Sequence, residues 1–162
     1  MWTKIALSAL LLLGTALPPP PTQQGQAQAQ PSMGQPQTGL PVVEISAGLH
    51  RIRAELAATP NTRSTGLMHR RSLGPNQGML FVFPDRAGHC FWMRNTLLPL
   101  SIAFIADDGR IVNIADMEPM TENPHCPAQA VRLALEMEQG WFARRGIEAG
   151  QRLGLPEVSA RP

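Results

Sequence analysis

The stretch "LSIAFIADDGRIVNIAD", residues 100–116, decides how this chain folds. Ile102, Phe104 and Ala106 recur at every second position up to Asp107-Asp108-Gly109, and beyond it Ile111 with Asn113 and Val112 with Ile114 continue the same period. A period of two puts successive side chains on opposite faces of a strand, and Asp-Gly supplies the positive φ that a tight hairpin turn needs. The stretch is therefore read as a β-hairpin.

Working outward, the same logic finds further strands. "RIRAELA" (51–57) sets Ile52, Ala54 and Leu56 against Arg51, Arg53 and Glu55, a half-buried strand. "GMLFVF" (78–83) is a short apolar run closed by Pro84, too short for a helix, and is read as a buried strand. "CFWM" (90–93) is read as the next one. After a Pro-rich loop over 118–128, "VRLALEM" (131–137) alternates Val131, Leu133, Leu135 and Met137 with Arg132, Ala134 and Glu136, which predicts another half-buried strand. "QRLGL" (151–155) is expected to form a last edge strand. Two short helices interrupt the pattern. Thr59 can cap a turn opened by Pro60, although Gly66 within that stretch weakens it, and "QGWFARRG" ends at Gly146, whose missing Cβ suits a left-handed cap. Many short strands separated by turn signals predict a mainly β domain, a compact β-sandwich or barrel-like fold with two short helices.

The ends of the chain carry different signals. "MWTKIALSALLLLGTAL" has one positive charge, Lys4, before an unbroken small and apolar run, the pattern of a secretory signal peptide. That run is shorter than the roughly 20 residues a membrane-spanning helix needs, so no stable membrane insertion is expected after cleavage. Ala27-Gln28-Ala29 offers a cleavage site, which places the signal at 1–29. Residues 30–41 continue a Pro, Gln, Gly and Ala-rich stretch, too poor in apolar side chains to offset its ordering entropy, and are read as a disordered linker. The β domain is placed at 42–156 and a short tail at 157–162. The expected location is the periplasm or the medium.

Of the 14 basic residues only Lys4 is a lysine, so removing the signal leaves 13 arginines against 12 acidic residues. A chain so nearly neutral lacks the basic stripe that phosphate backbones require, and no nucleic-acid partner is expected.

Four blocks, "GLMHRRSL", "GMLFVF", "FWMRNTLLPLSIAF" and "ALEMEQGWFARRGI", resemble in order and spacing the motifs of the bacterial domain-of-unknown-function family 192. The resemblance spans residues 42–155. It implies a compact, mainly β domain of sandwich type, often exported, with no established activity. Where the family commonly has Asp after the Pro-Leu of the third block, this chain has Ser101.

Two His-Cys pairs, His89-Cys90 and His125-Cys126, raise three chemistries. The cysteines can join, the four side chains can form a Cys2His2 set for zinc or copper, or a histidine can lower a thiol pKa to make a nucleophile. An even cysteine count in an oxidising compartment favours a Cys90–Cys126 disulfide. Adjacent strand residues point to opposite faces, which counts against His89 and Cys90 sharing one ion. Six methionines of the domain, among them Met79, Met93 and Met137, could offer thioethers to copper but fit core positions better. A hydrolase would need paired carboxylates facing across a cleft, and the neighbours Glu136 and Glu138 do not supply them.

The candidate binding surface is "WMRNT" with Glu136. Trp92 offers an aromatic platform, Arg94 a planar fork for a carboxylate or phosphate, and Asn95 and Thr96 hydrogen-bonding groups at a strand junction. The structural alternative has Arg94 in an ion pair with Glu136 while Asn95 and Thr96 close a turn. Arg63, His69, Arg70 and Arg71 are a further possible anion patch. No residue is assigned a catalytic role, and neither a cofactor nor a metal is expected. The reading is an exported module of the cell envelope that binds a small molecule, sugar or peptide. Its rivals are an envelope hydrolase or thiol-dependent enzyme, and a Met/His/Cys metal-handling protein.

Overall fold

A computed structural model describes residues 34–157; the signal segment 1–29, the first linker residues 30–33 and tail residues 158–162 lie outside the described residues. In chain order the strands are β1 (Val42–Ala47), β2 (His50–Ala57), β3 (Gln77–Ala87), β4 (Leu100–Ile105), β5 (Ile111–Met117) and β6 (Val131–Glu138). Helix α1 (Pro60–Thr65) connects β2 to β3, and a 3-10 turn (Ala143–Arg145) follows β6. They build one mixed sheet in the order β1-β2-β3-β6-β4-β5, with β2 and β3 parallel and every other pair antiparallel. The chain is mainly β, as expected, with one open sheet as its frame.

The 100–116 hairpin forms around Gly109 at φ 81°, and the Asp108 carboxylate accepts the Arg110 amide at 3.1 Å. That backbone bond, ahead of any other cause, holds the Asp108 carboxyl below its ordinary range. At α1, Thr59 accepts from the Thr62 amide at 3.2 Å while Thr62 Oγ1 accepts from the Thr59 amide at 3.0 Å, and Pro60 opens the first turn. Gly66 ends this helix at φ 49°, where a Cβ would press on the Phe81 ring.

The last strand to form in sequence, β6, is inserted between β3 and β4, and this changes its environment. The alternation of "VRLALEM" predicts one solvent face, yet all its residues from Val131 to Met137 are buried. Leu133, Leu135 and Met137 join Leu80, Val82, Ala103 and Ile105 under Trp141, Phe142 and Leu153. On the other face Ala134 lies with Met79, Phe81, Ile102 and Phe104 beneath Leu67 and Met93. Each face of the single sheet is thus covered by turns and loops, not by a second sheet. Trp141 is fastened over its face: its indole N–H donates to Asn76 Oδ1 at 3.0 Å, and the Arg145 guanidinium lies 4.2 Å from its ring centre.

"QRLGL" forms two isolated bridges in place of a regular strand, Arg110 with Arg152 and Ser46 with Gly154. The first lies beside β5 and the second on β1, the opposite edges of the sheet. Six flat strands would hold those edges about 24 Å apart, whereas two residues span about 7 Å, so the sheet must be rolled for one segment to reach both. The ladder itself is not closed.

"CFWM" is also not a strand: Phe91 alone pairs, with His125, through mutual backbone bonds of 2.8 Å. Conversely β3 runs past Pro84 to Ala87, which a register shift against β6 between Val82 and Ala87 permits, since proline is tolerated at a bulge. Residues 34–41, read as linker, have no regular structure but are bonded to the domain. Gln37 Nε2 donates to the carbonyls of Thr62 (3.0 Å) and Gly66 (2.8 Å), and Leu40 packs against the Phe81 face.

Candidate functional site

Three segments converge over the Phe81 face of the sheet. The end of α1 brings Arg63 and residues 64–68, β3 brings Phe81 and Phe83, and the connection between β3 and β4 brings Cys90, Phe91, Trp92 and Thr96. They enclose a half-open cavity of about 360 Å³, and Glu136 of β6 also lines it. The rings form one edge-to-face cluster, with Phe91 4.9 Å from Phe81, 6.1 Å from Phe83 and 5.8 Å from Phe104 between ring centres.

Glu136 is the unusual group. Its ladder partners on either side are Met79 and Ile102, which have no side-chain N–H or O–H to offer, and it is 4% exposed. Among the described residues its carboxyl has neither a hydrogen bond nor an ion pair. Loss of hydration without compensation disfavours the charged form, and burial pushes the carboxyl up to about 8. At neutral pH Glu136 is therefore a neutral acid.

Of the sequence-derived candidates, Trp92, Thr96 and Glu136 meet at this cavity. Arg94 does not. It pairs with Glu122 at 3.3 Å, and not with Glu136, because Glu136 points under the sheet's cover while Arg94 stays in solvent over the Trp92 ring. Asn95 takes φ 57° and its carbonyl accepts from the His69 amide at 2.8 Å, so it serves the turn. Of the anion patch, Arg70 is taken up in a two-bond pair with Glu55 at 2.6 and 2.7 Å, while Arg63 is anchored only through Nη1, which donates to Val82 O at 2.9 Å.

Cys90 and Cys126 are joined, with an S–S distance of 2.09 Å. The Phe91–His125 bridge aligns two extended backbones, which sets the neighbouring cysteines opposite each other with Cα atoms 4.2 Å apart, near the spacing of a non-hydrogen-bonded antiparallel pair. His89 stacks on Phe83 at 3.7 Å, far in role from a metal ligand. Among the described residues no three of His, Cys, Asp and Glu converge on a possible ion position.

Ser101 belongs to the opposite face. Its hydroxyl bonds to Asp116 and accepts the Gly140 amide at 2.8 Å, beside a second hollow of about 480 Å³. The polar groups there satisfy one another, so the departure from the family pattern lies away from the Glu136 cavity.

The sequence pattern placed Arg63 in an anion patch without bringing it to this cavity, and it missed Phe81, Phe83 and Phe91 as cavity residues. Phe81 and Phe83 read only as core, and nothing local indicates that the α1 turn stands off from the sheet by the width of a cavity.

The family model DUF192, described as "Uncharacterized ACR", matches residues 42–155. The chain belongs to DUF192. Among solved structures, this DUF192 chain is similar to a protein of unknown function from Novosphingobium aromaticivorans DSM 12444, at 39% identity and a TM-score of 0.68, over 75% of this chain and 90% of that one. It is also similar to a candidate transcription regulator from Sinorhizobium meliloti 1021, at 37% identity and a TM-score of 0.64, over 68% of this chain and 88% of that one. Among curated proteins none matches the chain significantly.

Proposed function

We propose that this DUF192 chain is an extracytoplasmic binding module that takes a small organic ligand into the cavity above Glu136. One observation carries the reading: a buried, unpartnered carboxyl lines an otherwise largely apolar cavity open to solvent. Leaving such a group without a partner costs stability, and a concave apolar site with few polar groups is the usual form of a small-molecule site. The disulfide is compatible with an oxidising compartment, and the signal pattern over 1–29 supports export. No helix among the described residues is long and apolar enough to cross a membrane.

The enzymatic alternatives have less support. Among the described residues Glu136 is the one acidic side chain lining the cavity, where glycoside hydrolysis uses two, and Cys90 is held in the disulfide.

A panel of small sugars, peptides, amines and carboxylates tests the proposal by thermal melting. A ligand raises the Tm with its concentration. Trp92 is 52% exposed at the rim, so Trp92→Ala should leave the unliganded Tm within about 2 °C while reducing the ligand's shift. If no member of the panel moves the Tm at millimolar concentration, the binding reading fails.

A further inference from the structure

Two polar groups of the cavity wall are unused. One is the Glu136 carboxyl; the other is the outer edge of Arg63, whose guanidinium lies 4.9 Å over the Phe83 ring and whose Nη1 donates to the carbonyls of Ala58 and Val82, while no hydrogen bond engages Nε or Nη2 among the described residues. Among the described residues these are also the only ionisable side chains lining the cavity apart from the oxidised Cys90. Arg63 is positive at any physiological pH, and burial without a partner keeps Glu136 uncharged, so the cavity bears a net positive charge. Nε and Nη2 of a guanidinium form the planar pair of donors that matches a carboxylate, and a neutral carboxyl donates one strong bond to an anion. An ammonium ligand would meet the Arg63 charge and would have to ionise Glu136 first.

We propose that the cavity takes an organic monocarboxylate with an aromatic or short aliphatic body, its charge held by Arg63, with Glu136 as a hydrogen-bond donor to it, and its body against Phe81 and Phe91. This inference rests on the binding reading above and adds the ligand's charge and shape.

The other charges near Glu136 are already engaged. On β6 itself Arg132 pairs with Asp107 at 2.8 Å and Glu138 with Arg144 at 3.1 Å. Beyond Met79 on β3 lies the Glu55–Arg70 pair of β2, and β4 presents Ile102. In the connection before β4, Arg94 pairs with Glu122, and His89 stacks on Phe83 with its Nε2 3.1 Å from the Asp85 carbonyl oxygen. Arg63, from α1, is left as the charge available to a ligand.

Phenylacetate is the probe, with phenethyl alcohol and phenethylammonium as its neutral and cationic counterparts. Each is titrated calorimetrically into the full chain with its disulfide intact, and binding is located by the Trp92 indole N–H resonance. Phenylacetate should bind most tightly. Because Glu136 loses its proton near 8, its Kd should rise about tenfold between pH 7 and pH 9. Glu136→Gln keeps an uncharged donor, so that variant should bind phenylacetate at pH 7 and show a Kd nearly constant to pH 9, which assigns the pH dependence to Glu136. Arg63→Lys, which keeps the charge and loses the fork, should weaken phenylacetate without affecting phenethyl alcohol.

Preferential binding of phenethylammonium or phenethyl alcohol at Trp92 would overturn the carboxylate assignment while leaving the cavity a binding site. A pH dependence that persists in Glu136→Gln would overturn the role of Glu136. Absence of binding by all three probes would overturn the inference together with the reading beneath it if the wider panel is also silent, and the inference alone if another ligand shifts the Tm.

Discussion

Glu136 links stability to pH in a direction opposite to that of most carboxylates. Its folded value, about 8, lies above the ordinary 4.5, so the folded chain keeps a proton that the unfolded chain has released. Stability from this group is fully present below about pH 4.5 and is lost as pH rises to about 8, a change of up to roughly 5 kcal/mol at 1.36 kcal/mol per unit. Glu136→Gln removes the titration. Urea unfolding at pH 5 and pH 8.5 should show the native chain losing several kcal/mol relative to the variant, and equal slopes for the two would refute a neutral buried acid. Arg94→Ala, by contrast, removes a solvent-exposed pair with Glu122 and should change stability by less than about 1 kcal/mol.

Among the elements, the β3–β6 contact and the disulfide are the most sensitive joints. Gly78 faces Met137 across that ladder, and a Cβ there would collide with the Glu136 carbonyl oxygen and the Met137 sulfur. Gly78→Ala forces the two central strands apart and should cost at least 1–3 kcal/mol, read as a lower urea midpoint with no change in far-UV spectrum type. Cys90 and Cys126 are separated by 36 residues, so Cys90→Ala with Cys126→Ser frees an unfolded loop worth about 3–4 kcal/mol. The same change should broaden the Trp92 indole resonance, because the disulfide and the Phe91–His125 bridge together hold that wall of the cavity. Alkylation of the unreduced protein labelling either cysteine would contradict the structure at this joint.

Over the whole molecule, the residues after the 3-10 turn tie β5 to β1. Gly150 donates to Ile111 O at 2.8 Å, Leu153 to Gly109 O at 2.9 Å and Gly154 to Ser46 O at 2.8 Å. Deleting everything from Gln151 onward leaves both outer strands with open backbone groups and removes Leu153 from the core. Such edges template pairing with other chains. The truncated chain should melt lower and elute partly as oligomers on size exclusion at concentrations where the full chain is monodisperse; unchanged elution and melting would show that the bridges carry little.

Local pattern alone determined the hairpin at Gly109, the capped turn at Thr59, the strand character of the runs ending at Ala57, Phe83 and Met137, and the residue types from which family membership follows. These depend on contacts within a few residues: the two-residue period, Asp-Gly backbone freedom, proline's fixed φ. The same pattern brought Trp92, Thr96 and Glu136 into view, one from its bulk and two as polar groups among apolar ones. Only the tertiary structure decided that β6 lies between β3 and β4, since strand order leaves no mark in periodicity. That placement buries both faces of "VRLALEM" and turns Glu136 from a solvent carboxylate into a neutral acid at the wall of a cavity. The environment of a side chain on a strand is set by which strands lie beside it and what covers the sheet, and for Glu136 those are Met79, Ile102 and the α1 turn, all distant along the chain.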